Sequence, residues 1–162
     1  MRDRYRGKLK TFAELEPLLQ GHRGRRERVV LANGCFDMLH VGHTRYLQAA
    51  RAAGDVLVVA INNDESVRKY KGKGRPLMPE DERAEVLSEL SCIDYLVLFS
   101  EEGVGRVLAE LRPDIHAKGT DYTVETVPER EIARSLGIET AIVGDPKDHS
   151  TTDLIRRILA RQ

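Results

Sequence analysis

The chain has 162 residues and carries 26 Lys plus Arg against 26 Asp plus Glu, a formal net charge of zero. That length suits one domain burying on the order of 70% of its unfolded surface, and the neutral balance excludes the overall basic field of a general nucleic-acid binder. Two cysteines, Cys35 and Cys92, make neither a disulfide framework nor a four-ligand zinc site, no apolar run reaches the ~18 residues of a membrane helix, and the charged N-terminus lacks an export core; the expectation is a cytoplasmic protein that binds neither membrane nor nucleic acid.

Residues 1–10 are mostly polar and read as a loose arm, followed by a short helix capped by Thr11, with Phe12, Leu15, Leu18 and Leu19 on one face and Gly21 at its end. The basic run from His22 to Arg28 reads as a solvated linker rather than an RNA contact, given the zero net charge. This arm and helix form 1–28, and 29–162 form the functional part of what is read as a single domain. Strand-like runs then appear at 28–31, 55–62, 94–99, 114–118 and 138–143. Helical patterns lie at 44–53, 79–90, 104–111, 127–136 and 151–160. Strand and helix alternate throughout, without repeats, which predicts an α/β fold: a Rossmann-like, doubly wound, five-stranded parallel sheet with helices on both faces. Residues 63–78, rich in Lys, Arg and Gly, read as a mobile basic loop. Pro79 suits the first turn of the helix after it, and Glu80, Asp81 and Glu82 suit that helix's positive end.

Ligands of such sheets bind beyond the carboxyl ends of the strands, where the strand order reverses. The turn after the first strand falls there, and its sequence is N-G-C-F-D-M-L-H-V-G-H, Asn33 to His43. Gly34 permits a tight turn and Gly42 lets a ligand approach the backbone. Free amides at the start of the next helix attract an anion. Histidines at i and i+3 share a face, where both can donate to phosphate oxygens and, as imidazolium, offset charge on a leaving group. Taken alone, H-x-G-H fits equally well one packing and one helix-capping histidine, while a metal site lacks a third ligand at a familiar spacing.

The segment G-C-F-D-M-L-H-V-G-H resembles the G-x-F-D-x-x-H-x-G-H signature of the cytidylyltransferase-like nucleotidyltransferases, the HxGH fold. K-G-K-G-R-P, P-E-D-E-R, A-K-G-T-D-Y and H-S-T-T-D follow in the order found in the family's heptose 1-phosphate adenylyltransferase branch, from about Val29 to Ile158. The chain leaves no room for the sugar kinase fused to some members, so it resembles the stand-alone form. The resemblance implies transfer of a nucleoside monophosphate, AMP from ATP, to a sugar 1-phosphate, D-glycero-D-manno-heptose 1-phosphate. Pyrophosphate would be released, magnesium (Mg2+) would arrive with the triphosphate, and a homodimer is compatible with the family. The nucleophile is already an anion, so neither a general base nor a covalent intermediate is required.

By the same resemblance, His40, His43 and Lys71 are the catalytic residues, with Lys71 bridging the α-phosphate and the incoming phosphate. Gly34, Cys35, Phe36, Gly42, Arg83, Lys118, Gly119, Asp121, Tyr122, Ser150, Thr151 and Thr152 would contact the nucleotide. Within that set Cys35 is a small packing residue without a redox role, and Arg83 either lies near the triphosphate or pairs with Glu80. Asn33, Asp37 and Lys71 would meet the acceptor, Asp37 either facing it or organising the loop. Lys69 and Lys73 are solvated lysines or further phosphate contacts. Ser150 to Asp153 is also a capping pattern that needs no ligand. No metal is held by the protein itself. The run Asp145 to His149 lacks the arginine of the glycerol phosphate cytidylyltransferases, the alternative enzyme reading, and a nucleotide-binding sensor is the alternative outside catalysis.

Overall fold

The computed structural model describes residues 3–161. In chain order these form α1 (Phe12–Gly24), β1 (Val29–Gly34), α2 (Val41–Ala52), β2 (Val56–Asn62), α3 (Asp64–Lys71), α4 (Glu80–Ser88), β3 (Tyr95–Phe99), α5 (Gly105–Leu111), β4 (Ile115–Lys118), α6 (Arg130–Ser135), β5 (Glu139–Ile142) and α7 (Thr151–Leu159). The strands form one parallel sheet in the order β3-β2-β1-β4-β5. The chain starts in the middle, winds out through β2 to β3, and returns past β1 to β4 and β5. Connections leaving β1 and β4 diverge to opposite faces, and a crevice opens beyond their carboxyl ends.

Strand side chains alternate between two cores. Val29, Leu31, Val56, Val58 and Ala60 meet Leu15 and Leu19 of α1, Val107 and Leu108 of α5, and Ala133 of α6. Val30, Ala32, Leu57, Val59 and Ile61 meet Leu47 and Ala50 of α2 and Ala84 and Leu87 of α4. Cover on both faces explains why the strands are continuously apolar. Each large aliphatic side chain so buried contributes about 1.5–3 kcal/mol.

Several local expectations are corrected. A capping box between Thr11 and Glu14 starts α1, but the helix runs past Gly21 to Gly24, because the left-handed backbone that closes the turn is taken by Arg26 at φ 62. Leu18 remains 36% exposed while Leu15 and Leu19 carry the contact. The arm is not loose: Lys10 N donates to Leu96 O and Leu96 N to Lys8 O, each at 2.9 Å, so it covers the free edge of β3. Arg4 pairs with Glu85 at 2.7 Å and Arg6 with Glu89 at 2.6 Å. Met1 and Arg2 of the arm lie outside the described residues, as does Gln162.

Residues 63–78 are not all loop either. Asn63 caps α3 by accepting from Ser66 N at 2.9 Å, Asp64 and Glu65 occupy the first turn, and Arg68, Lys69 and Lys71 the last. Gly72, at φ 88, ends it. Pro79 is the residue before α4 rather than its first turn. The basic run from His22 to Arg28 overlaps the end of α1, and three of its arginines are engaged within the chain. Arg23 donates to the carbonyls of Leu111 and Arg112, Arg25 pairs with Glu27, and Arg28 pairs with Glu139. Among the described residues no helix is long and apolar enough to cross a membrane.

Candidate active site

Beyond the carboxyl ends of β1 and β4 lies a cavity of about 590 Å3. Asn33 and Gly34 reach it from β1, Lys118 and Gly119 from β4, and Tyr70 and Lys71 from the end of α3; the starts of α2 and α7 complete it. Two helix N-termini thus face one space, together with the lysine that ends a third helix.

At the first N-terminus α2 begins at Val41, three residues earlier than the periodicity indicates, because His40 is its cap. Gly42 N donates to His40 Nδ1 at 3.1 Å and His40 N to His43 Nδ1 at 3.4 Å. The rings stack with centroids 3.9 Å apart. Each Nδ1 accepts from a backbone amide, which places the proton of each neutral ring on Nε2, and the His43 ring also hydrogen-bonds the Met38 backbone. Burial pushes the His43 imidazole down to about 4, with help from His40 and Lys71. Burial, His149 and Lys147 also lower His40. Both shifts disfavour the imidazolium in the free protein. Gly42 is required by space: a Cβ there would lie 2.9 Å from His40 Cε1 and Nδ1.

The second N-terminus belongs to α7. Ser150 caps it, accepting from Asp153 N at 3.1 Å and donating to Asp153 Oδ2 at 2.7 Å, while Thr151 Oγ1 donates to Met38 O at 3.4 Å. That last bond ties α7 to the loop before α2. Ser150, Thr151 and Thr152 all line the cavity, as do Lys147 and His149. Lys147 reaches Asp121 at 3.1 Å, and His149 comes within 6.5 Å of the His40 ring. Gly144, at φ 95, lets the β5 loop pass close by, since a Cβ there would lie 3.3 Å from Tyr46 Cα. Tyr46 hydrogen-bonds Ala117 O at 2.8 Å, and burial raises its phenol.

On the opposite side of the sheet the lining changes character. Ile115 and Ala117 of β4 face the α2–α4 core, so His116 and Lys118 project toward α5 and α6. Asn33, two residues after Leu31, projects the same way, and its Oδ1 lies 2.9 Å from His116 Nε2. His116 is fully buried, and burial pushes it down to about 3. Lys118 Nζ lies 4.6 Å from the centre of the Tyr122 ring and 3.9 Å from Glu129 Oε2. Burial lowers the lysine while Glu129 and Asp121 oppose the shift.

Three expected contacts do not border the cavity. Phe36 is buried, at φ 50, with its ring edge-on to His43 at 5.5 Å, so it braces the histidine. The Asp37 side chain is wholly buried and accepts from Leu77 N at 2.8 Å, Met78 N at 2.9 Å and Arg75 Nε at 2.6 Å. Burial alone would raise its carboxyl, but those donors hold it below the usual carboxylate range. It organises the 75–78 loop and does not face an acceptor. Arg83 lies behind the site, its guanidinium bonded to the carbonyls of Cys35, Asn62 and Met78 and to Asp64. The expected pairing with Glu80 is replaced by Asp64, whose amide Glu80 instead accepts at 2.6 Å.

Cys35 lines the cavity, and burial raises its thiol. Lys69 pairs with Glu65 at 2.7 Å on the outer face of α3. Among the described residues no group of three or more His, Cys, Asp or Glu could hold a metal ion. The donors at the phosphate-accepting end are imidazole, ammonium, hydroxyl and amide, a set that does not fit a protein-held cation. His116, Lys147 and His149 were not singled out by sequence, and Glu129 enters there only within the Val127 to Glu131 stretch, a helical segment able to support a sugar site. The run Asp145 to His149, four charged or titratable residues about a proline, was the signal for two of them.

Residues 31–157 match the family model described as cytidylyltransferase-like. The chain is 46% identical over 157 residues to the bifunctional protein HldE of Syntrophotalea carbinolica, covering 97% of this chain and 32% of that one. It is 47% identical over 154 residues to the bifunctional protein HldE of Pelobacter propionicus, covering 95% and 32%. The chain thus spans about a third of the length of these curated relatives. Among solved structures it is similar to a lipopolysaccharide core biosynthesis protein from Thermoplasma volcanium, with TM-score 0.64, 28% identity, and 75% of this chain and 99% of that chain covered. Pantothenate synthetase from Thermus thermophilus, at TM-score 0.62 and 19% identity over 88% of this chain and 63% of that one, shares the fold.

Proposed function

Because the chain belongs to the cytidylyltransferase-like family, we propose that it transfers a nucleoside monophosphate, AMP from ATP, to a sugar 1-phosphate, D-glycero-D-manno-heptose 1-phosphate, with release of pyrophosphate. The observation that carries this reading is the meeting of two helix N-termini, His40–His43 on α2 and Ser150–Thr152 on α7, with Lys71 across one cavity. Such a site suits a polyanion. The order of motifs along the chain and the similarity to a lipopolysaccharide core biosynthesis protein support a sugar phosphate as acceptor.

In this reading the triphosphate lies along the two N-termini, with Gly34 and Gly42 giving the backbone clearance it needs and the base near Gly119 and Asp121. A phosphate oxygen of the acceptor attacks the α-phosphorus in line, and the bond to pyrophosphate breaks. The chemistry demands positioning and relief of growing negative charge. His43 supplies a neutral Nε2–H donor held in place by its own Nδ1. His40, stacked on it, does the same. Lys71 brings a positive charge between the two phosphates. A magnesium ion arriving with the triphosphate would neutralise part of its charge. Incubation with ATP, CTP or GTP, each with heptose 1-phosphate or glycerol 3-phosphate, tests the proposal by pyrophosphate release. Turnover only with ATP and the heptose phosphate is expected; turnover only with CTP and glycerol phosphate contradicts it.

A further inference from the structure

Glu129 lines the cavity with a buried Oε2 that has no hydrogen-bond partner. Its nearest cation is Lys118 Nζ at 3.9 Å, beyond hydrogen-bond length, and the whole side chain is only 12% exposed. A buried acceptor left open costs free energy unless something donates to it. The position within the cavity says what does. The imidazoles and hydroxyls of α2 and α7 lie toward one face of the sheet, whereas Asn33, Lys118 and Glu129 lie toward the other. A carboxylate there repels phosphate and attracts O–H donors.

We propose that Glu129, beside Lys118 and Tyr122, is the specificity-determining residue that reads the hydroxyl groups of the acceptor sugar, at a subsite across the sheet edge from the triphosphate. This inference rests on the proposed sugar phosphate acceptor and reassigns Lys118 and Tyr122 from nucleotide to acceptor. Glu129 Oε2 accepts from one or two hydroxyls of a polyol, Lys118 donates to another, and the Tyr122 ring covers the apolar face of the sugar. Glu129 is the N-cap residue of α6 without a capping hydrogen bond from its side chain, so replacing it removes no helix cap.

Steady-state kinetics of Glu129→Ala and Glu129→Gln with sugar 1-phosphate and ATP varied in turn test the proposal. Loss of a hydrogen bond to a charged group is worth about 10- to 100-fold in affinity. The expected result for Glu129→Ala is a KM for the sugar phosphate raised about 10- to 100-fold and a KM for ATP within about twofold of wild type, with Glu129→Gln in between. Deoxy analogues lacking one hydroxyl at a time give the second measurement. One of them should be penalised in the wild type and not in Glu129→Ala. An unchanged KM for the sugar phosphate overturns the inference, as does an equal rise in KM for ATP, which would put the nucleotide on Glu129. Wild-type protein that releases pyrophosphate with no sugar 1-phosphate at all refutes the acceptor reading itself, and the inference with it.

Discussion

Replacing Arg83 separates two accounts of the residue that sequence motifs leave together, a triphosphate contact or an internal clamp. Its side chain is fully buried and makes four hydrogen bonds: Nη1 to Cys35 O at 2.6 Å and Asn62 O at 2.8 Å, Nε to Met78 O at 3.0 Å, and Nη2 to Asp64 Oδ1 at 2.7 Å. Arg83→Met keeps most of the volume and removes every donor. It leaves a partly buried carboxylate and three carbonyls without this partner, and removing one side of a buried pair costs about 3–5 kcal/mol. At about 2–4 °C per kcal/mol for a chain of this size, the melting temperature should fall by about 6–20 °C. Arg83→Lys should lie between, since one ammonium cannot span acceptors on three segments. Thermal and urea unfolding without nucleotide reads the effect. A surface phosphate contact would change stability by about 0.5 kcal/mol or less. Arg83→Met that melts within about 2 °C of wild type while KM for ATP rises would refute the clamp.

His43→Ala should lower kcat about 100- to 1,000-fold, the range for loss of one donor to a developing charge; retained kcat would remove the histidine from the chemistry. His116 is held uncharged in the fold, at about 3, and charges near 6.5 when unfolded, so the unfolded chain binds the extra proton and stability is lost as pH falls below 6.5. Between pH 6 and 4.5, His116→Gln should reduce the slope of unfolding free energy against pH by about 1.4 kcal/mol per pH unit; an unchanged slope would mean the imidazole is not held neutral. Asp37→Ala should speed hydrogen exchange at the amides of Leu77 and Met78, which donate to it, and exchange rates equal to wild type would show the loop is fixed by other contacts. Gly42→Ala should displace the His40 ring and cut kcat while the protein stays folded; full activity would show that the close approach is not needed.

The fold was legible because its signals are local and repeated. Apolar runs such as Val56 to Asn62, buried along their whole length, alternate with amphipathic helices, and that alternation leaves few topologies. What sequence missed depends on partners distant in the chain. The arm gains its order from Leu96 on the edge strand, and Arg83 from carbonyls of Cys35 and Asn62, groups that carry no side-chain signature. Helix α3 was hidden because only Ser66 and Val67 of its eight residues are buried, too little for an apolar stripe. His40 is both of the things an isolated H-x-G-H could be, a helix cap by its Nδ1 and a cavity residue by its remaining edge. Glu129 was legible only as part of the Val127 to Glu131 stretch, a segment able to support a sugar site, because nothing in a charged helical sequence says which glutamate the fold buries.

The central claim is that two helix N-termini hold a triphosphate so that its α-phosphorus is attacked by a sugar phosphate. The most direct measurement is the identity of both products from ATP and heptose 1-phosphate, by phosphorus NMR and mass spectrometry of a single reaction. Pyrophosphate and an ADP-linked heptose in equal amounts are the predicted result. ADP with a doubly phosphorylated sugar would mean attack at the γ-phosphorus, and bound but unreacted ATP would mean a sensor; either contradicts the account.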